Sequence, residues 1–259
     1  MLALSIGSTV GADERLVMRN VIYIFWTGSN EIPQVRKDSI NSIKEKSGAE
    51  VVLVGESNIY EYIHPGKIHE AYPLLNLAHR ADYLRCYFMH HFGGGYCDIK
   101  SISGSWTPYF DLLRQDHNLL GVGYKEANRH GVANICQSQA ILDGCKAHTD
   151  VSAFLKWRLM QLRYRKLIGN GAFIFNPRSD ITNLWWRELN HRLDFILPRL
   201  IKNPAQHPKE RPNHVYDGIV SQYPVPWTWI LGDILHPLSY KFRKKLLRVL
   251  PPPNFKDYQ

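Results

Sequence analysis

Two carboxylates, a guanidinium and an ammonium fall within nineteen residues of this sequence: Asp82, Arg85, Asp98 and Lys100. Asp82 and Arg85 are three apart, which puts them on one face of a helix. Gly93-Gly94-Gly95 and Tyr96-Cys97 then separate them from Asp98. Carboxylates of this kind hold a metal or accept from sugar hydroxyls, and an arginine beside them holds a phosphate in charge-assisted, bidentate contact. Read singly, an Asp/Arg pair is a surface ion pair and a glycine run is a helix cap. Their order and spacing are what suggest a site.

The neighbouring elements must hold these groups in place. Leu77, Ala81, Leu84 and Phe88 recur at intervals of 4, 3 and 4, which predicts a helix over 74–92 with Asp82 and Arg85 turned toward a cleft or solvent. The glycines end it, since glycine takes left-handed conformations without a Cβ penalty. A short strand over Tyr96-Cys97-Asp98-Ile99 follows, placing Asp98 at its carboxyl end, where open α/β sheets bind ligands. Further strands are expected at Val21–Trp26, Val51–Gly55, Leu119–Gly123 and Gly171–Phe175. Helices are expected at Pro33–Lys46, with Val35 and Ile40 or Ile43 inward, and at Val151–Arg165 and Asp180–Phe195. Strand, helix, strand at this spacing predicts a mostly parallel α/β sheet in one domain over 1–259, with a core at about 21–180. From about 198 the chain becomes loop-rich, broken by Pro204, Pro208, Pro212, Pro224, Pro226 and Pro237.

Composition narrows the classes. At 44% hydrophobic and 21% charged the chain is globular rather than disordered. No apolar run approaches the ~18–20 residues of a spanning helix, and Met1–Val10 lacks the basic start of a signal peptide. Cys86, Cys97, Cys136 and Cys145 have neither C-x-x-C nor zinc spacing, so they read as reduced thiols of a cytoplasmic protein. The formal charge of +9 calls for an anionic partner. No helix-turn-helix, zinc-finger, RRM or KH pattern supports nucleic acid. No G-x-S-x-G, P-loop or G-x-G-x-x-G follows a strand.

The stretch from Asp82 to Lys100 resembles the DXD-containing sugar-binding region of a glycosyltransferase family that includes capsular-polysaccharide synthesis enzymes and related mannosyltransferases. The matches to its pattern, D-x-x-R and then G-G-x-Y-x-D, are Asp82, Arg85, Gly94, Gly95, Tyr96 and Asp98; Ile24-Phe25-Trp26 and Ile32-Pro33 resemble its opening. The resemblance implies a GT-A-like, Rossmann-like fold, a nucleotide-sugar donor, and a retaining transfer to a hydroxyl of a glycan or lipid-linked acceptor. It makes Trp26 a stacking partner for the nucleobase, with a core role as the alternative. Asp82 and Arg85 hold hydroxyls and phosphate, and Gly94 and Gly95 let the backbone approach the ligand. Asp98 binds the sugar, a metal bridging the diphosphate, or both.

The sequence departs from the family at the second acidic position, where Lys100 stands. A lysine cannot ligate a cation. Either Mn²⁺ or Mg²⁺ persists on Asp98 with Asp233 or His236, which is the expectation here, or Lys100 supplies the positive charge itself, or the chain is a catalytically inactive sugar-nucleotide- or glycan-binding paralogue. Asn170 is a further pocket candidate, with a plain turn residue as the alternative. Trp227–Pro237 suggests a lid, in which core packing explains the tryptophans nearly as well. Adjacent His90 and His91 cannot face one ligand and read as ordinary. Ser239–Leu250 suggests a basic helix, docked through Leu246, Leu247 and Leu250 or lying on an anionic membrane, and Arg163, Arg165 and Lys166 add a second basic patch.

Overall fold

The computed structural model describes residues 19–144 and 150–256; Met1–Val10 and Cys145 lie outside them. The chain opens with β1 (Val21–Trp26), α1 (Gln34–Lys46), β2 (Glu50–Gly55) and the short α2 (Ile59–Tyr62). Next come α3 (Leu77–His91), β3 (Gly94–Cys97), α4 (Thr107–Gln115) and β4 (Gly121–Lys125). Then follow α5 (Ile135–Leu142), α6 (Val151–Leu162), β5 (Ile168–Phe175) and α7 (Asp180–Lys202). A two-stranded hairpin of β6 (Val215–Tyr216) and β7 (Ile219–Val220), α8 (Gly232–Lys241) and β8 (Leu246–Leu247) complete it.

The central sheet runs β2-β1-β3-β5-β4-β8, and only β5 runs against its neighbours. This is the mixed, mostly parallel α/β architecture expected. The apolar runs are continuous because both faces of the sheet are covered. In β1, Ile22 and Ile24 point into one core with Ile40 and Ile43 of α1 and Trp106 and Phe110 near α4. Tyr23 and Phe25 point into the other, with Tyr83 and Phe88 of α3 and Trp185 and Leu189 of α7. Val35, expected inward on α1, is exposed.

Gly93 and Gly94 both have left-handed φ, +66° and +83°, so the run does end α3 as expected. α7 extends past the expected Phe195 to Lys202 despite Pro198 inside it. Ile196 and Leu200 continue its buried stripe, and that packing outweighs one lost intrahelical hydrogen bond. The basic helix expected over Ser239–Leu250 does not form. α8 stops at Lys241, the chain turns, and Leu246-Leu247 adds a parallel strand to the open edge of β4. Edge pairing and burial of Leu246 and Leu250 use up the leucines that would have made a helix amphipathic. Among the described residues no helix is long and apolar enough to cross a membrane. Cys86, Cys97 and Cys136 are free, buried thiols.

Candidate functional site

β3 and β4 are parallel, so their carboxyl ends share one edge of the sheet, and antiparallel β5 begins at that same edge. Asp98 stands just past β3, its N–H donating to the Gly171 carbonyl at 2.7 Å. α3 is buried on nearly every side, so Asp82 and Arg85 face protein rather than open solvent. Arg85 lies between the two carboxylates, 3.6 Å from Asp82 Oδ1 and 3.2 Å from Asp98 Oδ1. Its guanidinium also donates to the Asn170 carbonyl at 3.2 Å and lies 4.5 Å over the Tyr96 ring. The Tyr96 hydroxyl donates to Asp98 Oδ1 at 2.6 Å.

Lys100 is buried, its Nζ 4.0 Å from Asp98 Oδ2 and 4.1 Å over the Phe255 ring. Burial pushes its ammonium down to about 8, Asp98 opposing the shift and Arg36 adding to it. Asp82 moves the other way. Burial raises its carboxyl to about 6, with Arg85 pulling down and Asp98 pushing up. The edge thus carries two carboxylates in unlike environments with two cations between and beside them.

Trp26 is half-buried at the end of β1, its indole N–H donating to the Asn30 carbonyl at 2.8 Å. It lines a cleft of about 580 Å³ with Gly28, Ser29, Ile32, Leu53 and Gly55 at the carboxyl ends of β1 and β2. A planar base has room there. Asn170 lies inside β5, which starts at Ile168 rather than Gly171. Its amide oxygen is buried without a hydrogen-bond partner and its amide nitrogen lies near Gly232, while its backbone carbonyl takes Arg85.

Other assignments are corrected. Gly94 and Gly95 sit at the amino end of β3, away from Asp98. A Cβ on Gly94 would lie 2.9 Å from the Val21 carbonyl oxygen, and one on Gly95 would lie 3.1 Å from both Ile22 and Trp106. Their small size serves strand packing, not ligand approach. The glycine beside the Asp98 carboxylate is Gly171, where a Cβ would lie 3.0 Å from Asp98 Oδ2.

Asp233 and His236 each engage a partner other than Asp98. The Asp233 carboxylate takes the Thr228 hydroxyl at 2.6 Å, at the start of its own helix. His236 is fully buried; its Nδ1 accepts from the Ala133 N–H at 3.0 Å and its Nε2 faces Glu126 Oε2 at 3.5 Å. Among the described residues no three His, Cys, Asp or Glu side chains are placed to hold a metal ion. Asp98, the remaining candidate ligand, already faces Arg85 and Lys100. In the expected lid, Trp229 is core, packed by Phe195 and Arg192, while Trp227 stays partly exposed under Arg211.

Four residues near the edge were not singled out from sequence. Arg36 of α1 donates to the Ile99 carbonyl at 2.7 Å. The Tyr124 hydroxyl accepts from the Gly171 N–H at 3.2 Å, and its ring meets Phe255 at 5.7 Å. Glu126 pairs with His236. Tyr124 and Glu126 were within reach of the strand-end rule, had β4 been read beyond Gly123. Phe255 had no sequence signal; it arrives because the Asn254 N–H donates to the Ser101 carbonyl at 2.9 Å.

Among curated proteins, none matches this chain. Residues 8–100, the segment that carries Trp26, Asp82, Arg85, Tyr96, Asp98 and Lys100, match the family model described as capsular polysaccharide synthesis protein, and this is the family that the site-bearing part of the chain resembles.

Proposed function

We propose that the protein is a glycosyltransferase of polysaccharide synthesis that moves a sugar from a nucleotide donor to a hydroxyl of a glycan or lipid-linked acceptor. The observation that supports this most is the Asp98 carboxylate held between Arg85, Tyr96 and Lys100 at the carboxyl edge of the sheet. In this reading the base enters the cleft beside Trp26, and Asp82 and Asp98 accept from sugar hydroxyls. Arg85 and Lys100 present fixed positive charge where the departing diphosphate gathers negative charge, which lowers the barrier because it requires no reorganisation. Lys100 thereby takes the place that the resemblance gives to a divalent cation.

Nucleoside-diphosphate release from a panel of nucleotide sugars, measured with acceptor glycans and in excess chelator, tests this. Turnover that persists in chelator and falls at least about a hundredfold in Asp98→Ala is the expected result. Donor binding without turnover in any metal would leave the catalytically inactive sugar-nucleotide-binding reading, which the engagement of Asp98 by its own neighbours favours. Absence of both binding and turnover overturns either reading.

A further inference from the structure

α6 is apolar on two opposite sides. Trp157 and Met160 face inward, against Val132, Leu167 and their neighbours. On the far side Val151, Leu155, Leu159 and Leu162 follow at spacings of 4, 4 and 3, within roughly 80° of arc at 100° per residue. They are 69%, 62%, 41% and 78% exposed. A helix apolar all round belongs in an interior, and a continuous line of aliphatic side chains in water marks an interaction surface.

Charge selects the partner. Between Val151 and Lys166 there are five cations, Lys156, Arg158, Arg163, Arg165 and Lys166, and no acidic residue. The C-terminal basic segment joins the same patch: the Arg163 guanidinium donates to the Tyr240 hydroxyl at 3.1 Å, and Arg248 donates to the Lys166 carbonyl at 3.4 Å. A second copy docked through this face about a two-fold axis would set five cations against five. A bilayer with anionic headgroups offers both the apolar depth and the opposite charge.

We propose that α6 docks this protein on anionic membrane surfaces, its Val151–Leu162 ridge seated at the headgroup–acyl boundary and its cations on the headgroup phosphates. The contact moves from the Ser239–Leu250 segment, where Leu246 and Leu250 are buried, to a helix whose leucines are exposed. It stands on the surface alone and is independent of the transfer chemistry.

Co-sedimentation of the full chain with vesicles of phosphatidylcholine, with and without phosphatidylglycerol, tests it, with oligomeric state measured in parallel by light scattering. Wild type should bind only the vesicles containing phosphatidylglycerol. Leu155→Glu/Leu159→Glu should weaken that binding at least about tenfold, and Lys156→Glu/Arg158→Glu by a similar factor, with loss of salt dependence. All four positions are exposed, so thermal unfolding should match wild type and report intact folding. A monomeric wild type that ignores anionic vesicles overturns the proposal. A wild-type dimer that the leucine variant dissociates overturns it in favour of a second copy. Equal vesicle binding by wild type and both variants overturns it as well.

Discussion

Replacing Lys100 by methionine separates the two roles its position allows. The substitution keeps an unbranched apolar stem over Phe255 and removes the ammonium that stands 4.0 Å from Asp98 Oδ2. A unit charge about 4 Å from developing negative charge, at an effective dielectric near 20, is worth about 4 kcal/mol. Only the part realised in the transition state counts toward the rate, and loss of one preorganised charge or donor typically costs about 2.7–4 kcal/mol, or roughly 10²–10³ in kcat. Lys100→Met should therefore lose about two to three orders of magnitude in kcat, with a smaller change in donor KM. Stability should hold or rise, because a desolvated cation gives way to an apolar chain of similar volume. The pH profile supplies an independent check. With its ammonium lowered to about 8, wild type should lose rate as pH rises through that value. Lys100→Met should lack this alkaline limb, and Lys100→Arg, which stays protonated, should restore part of the rate and carry it past pH 9. The assay is nucleoside-diphosphate release across pH in chelator, with thermal melts of each variant. A folded Lys100→Met that keeps its rate within about threefold in chelator would refute Lys100 as the charge that replaces the metal.

Asp82 and Gly94 give two further tests. Because burial lifts the Asp82 carboxyl to about 6, the folded state holds its proton more tightly than the unfolded chain does, so its contribution to stability is present below about pH 4 and is lost as pH rises through 6. Wild type should gain thermal stability relative to Asp82→Asn on acidification from pH 7 to 5, while its donor affinity falls as the accepting carboxylate is neutralised; parallel calorimetry and donor titrations read both. Gly94→Ala adds a Cβ 2.9 Å from the Val21 carbonyl at a φ of +83°, which should cost roughly 1–3 kcal/mol in denaturant unfolding yet leave donor affinity of the folded fraction unchanged. A selective loss of donor affinity instead would return the glycine to the ligand site.

Local sequence determined the elements from β1 to β3 that carry the candidate site, and the chemistry of their side chains. The run Val21–Trp26 alternates its side chains into two cores, and a glycine after α3 is the residue that a left-handed exit requires, so strand, helix and turn were legible there. The placement of Asp98 at a strand end was legible for the same reason. Tertiary structure decided the partners. Asp82 and Arg85 are three apart on any helix, but only the packing of α3 brings Arg85 onto Asp98 and the Asn170 carbonyl. Asp233 and His236 are chemically suitable metal ligands, yet α8 directs one to Thr228 and the other to Ala133 and Glu126. Leu246 and Leu247 have a helical neighbourhood in sequence and a strand's place in the sheet, because the open edge of β4 pairs their backbone while Leu246 and the following Leu250 are buried. Spacing along the chain sets which side chains share a face; which face meets which is settled by burial and backbone pairing between segments far apart in sequence, and one sequence does not display those contacts.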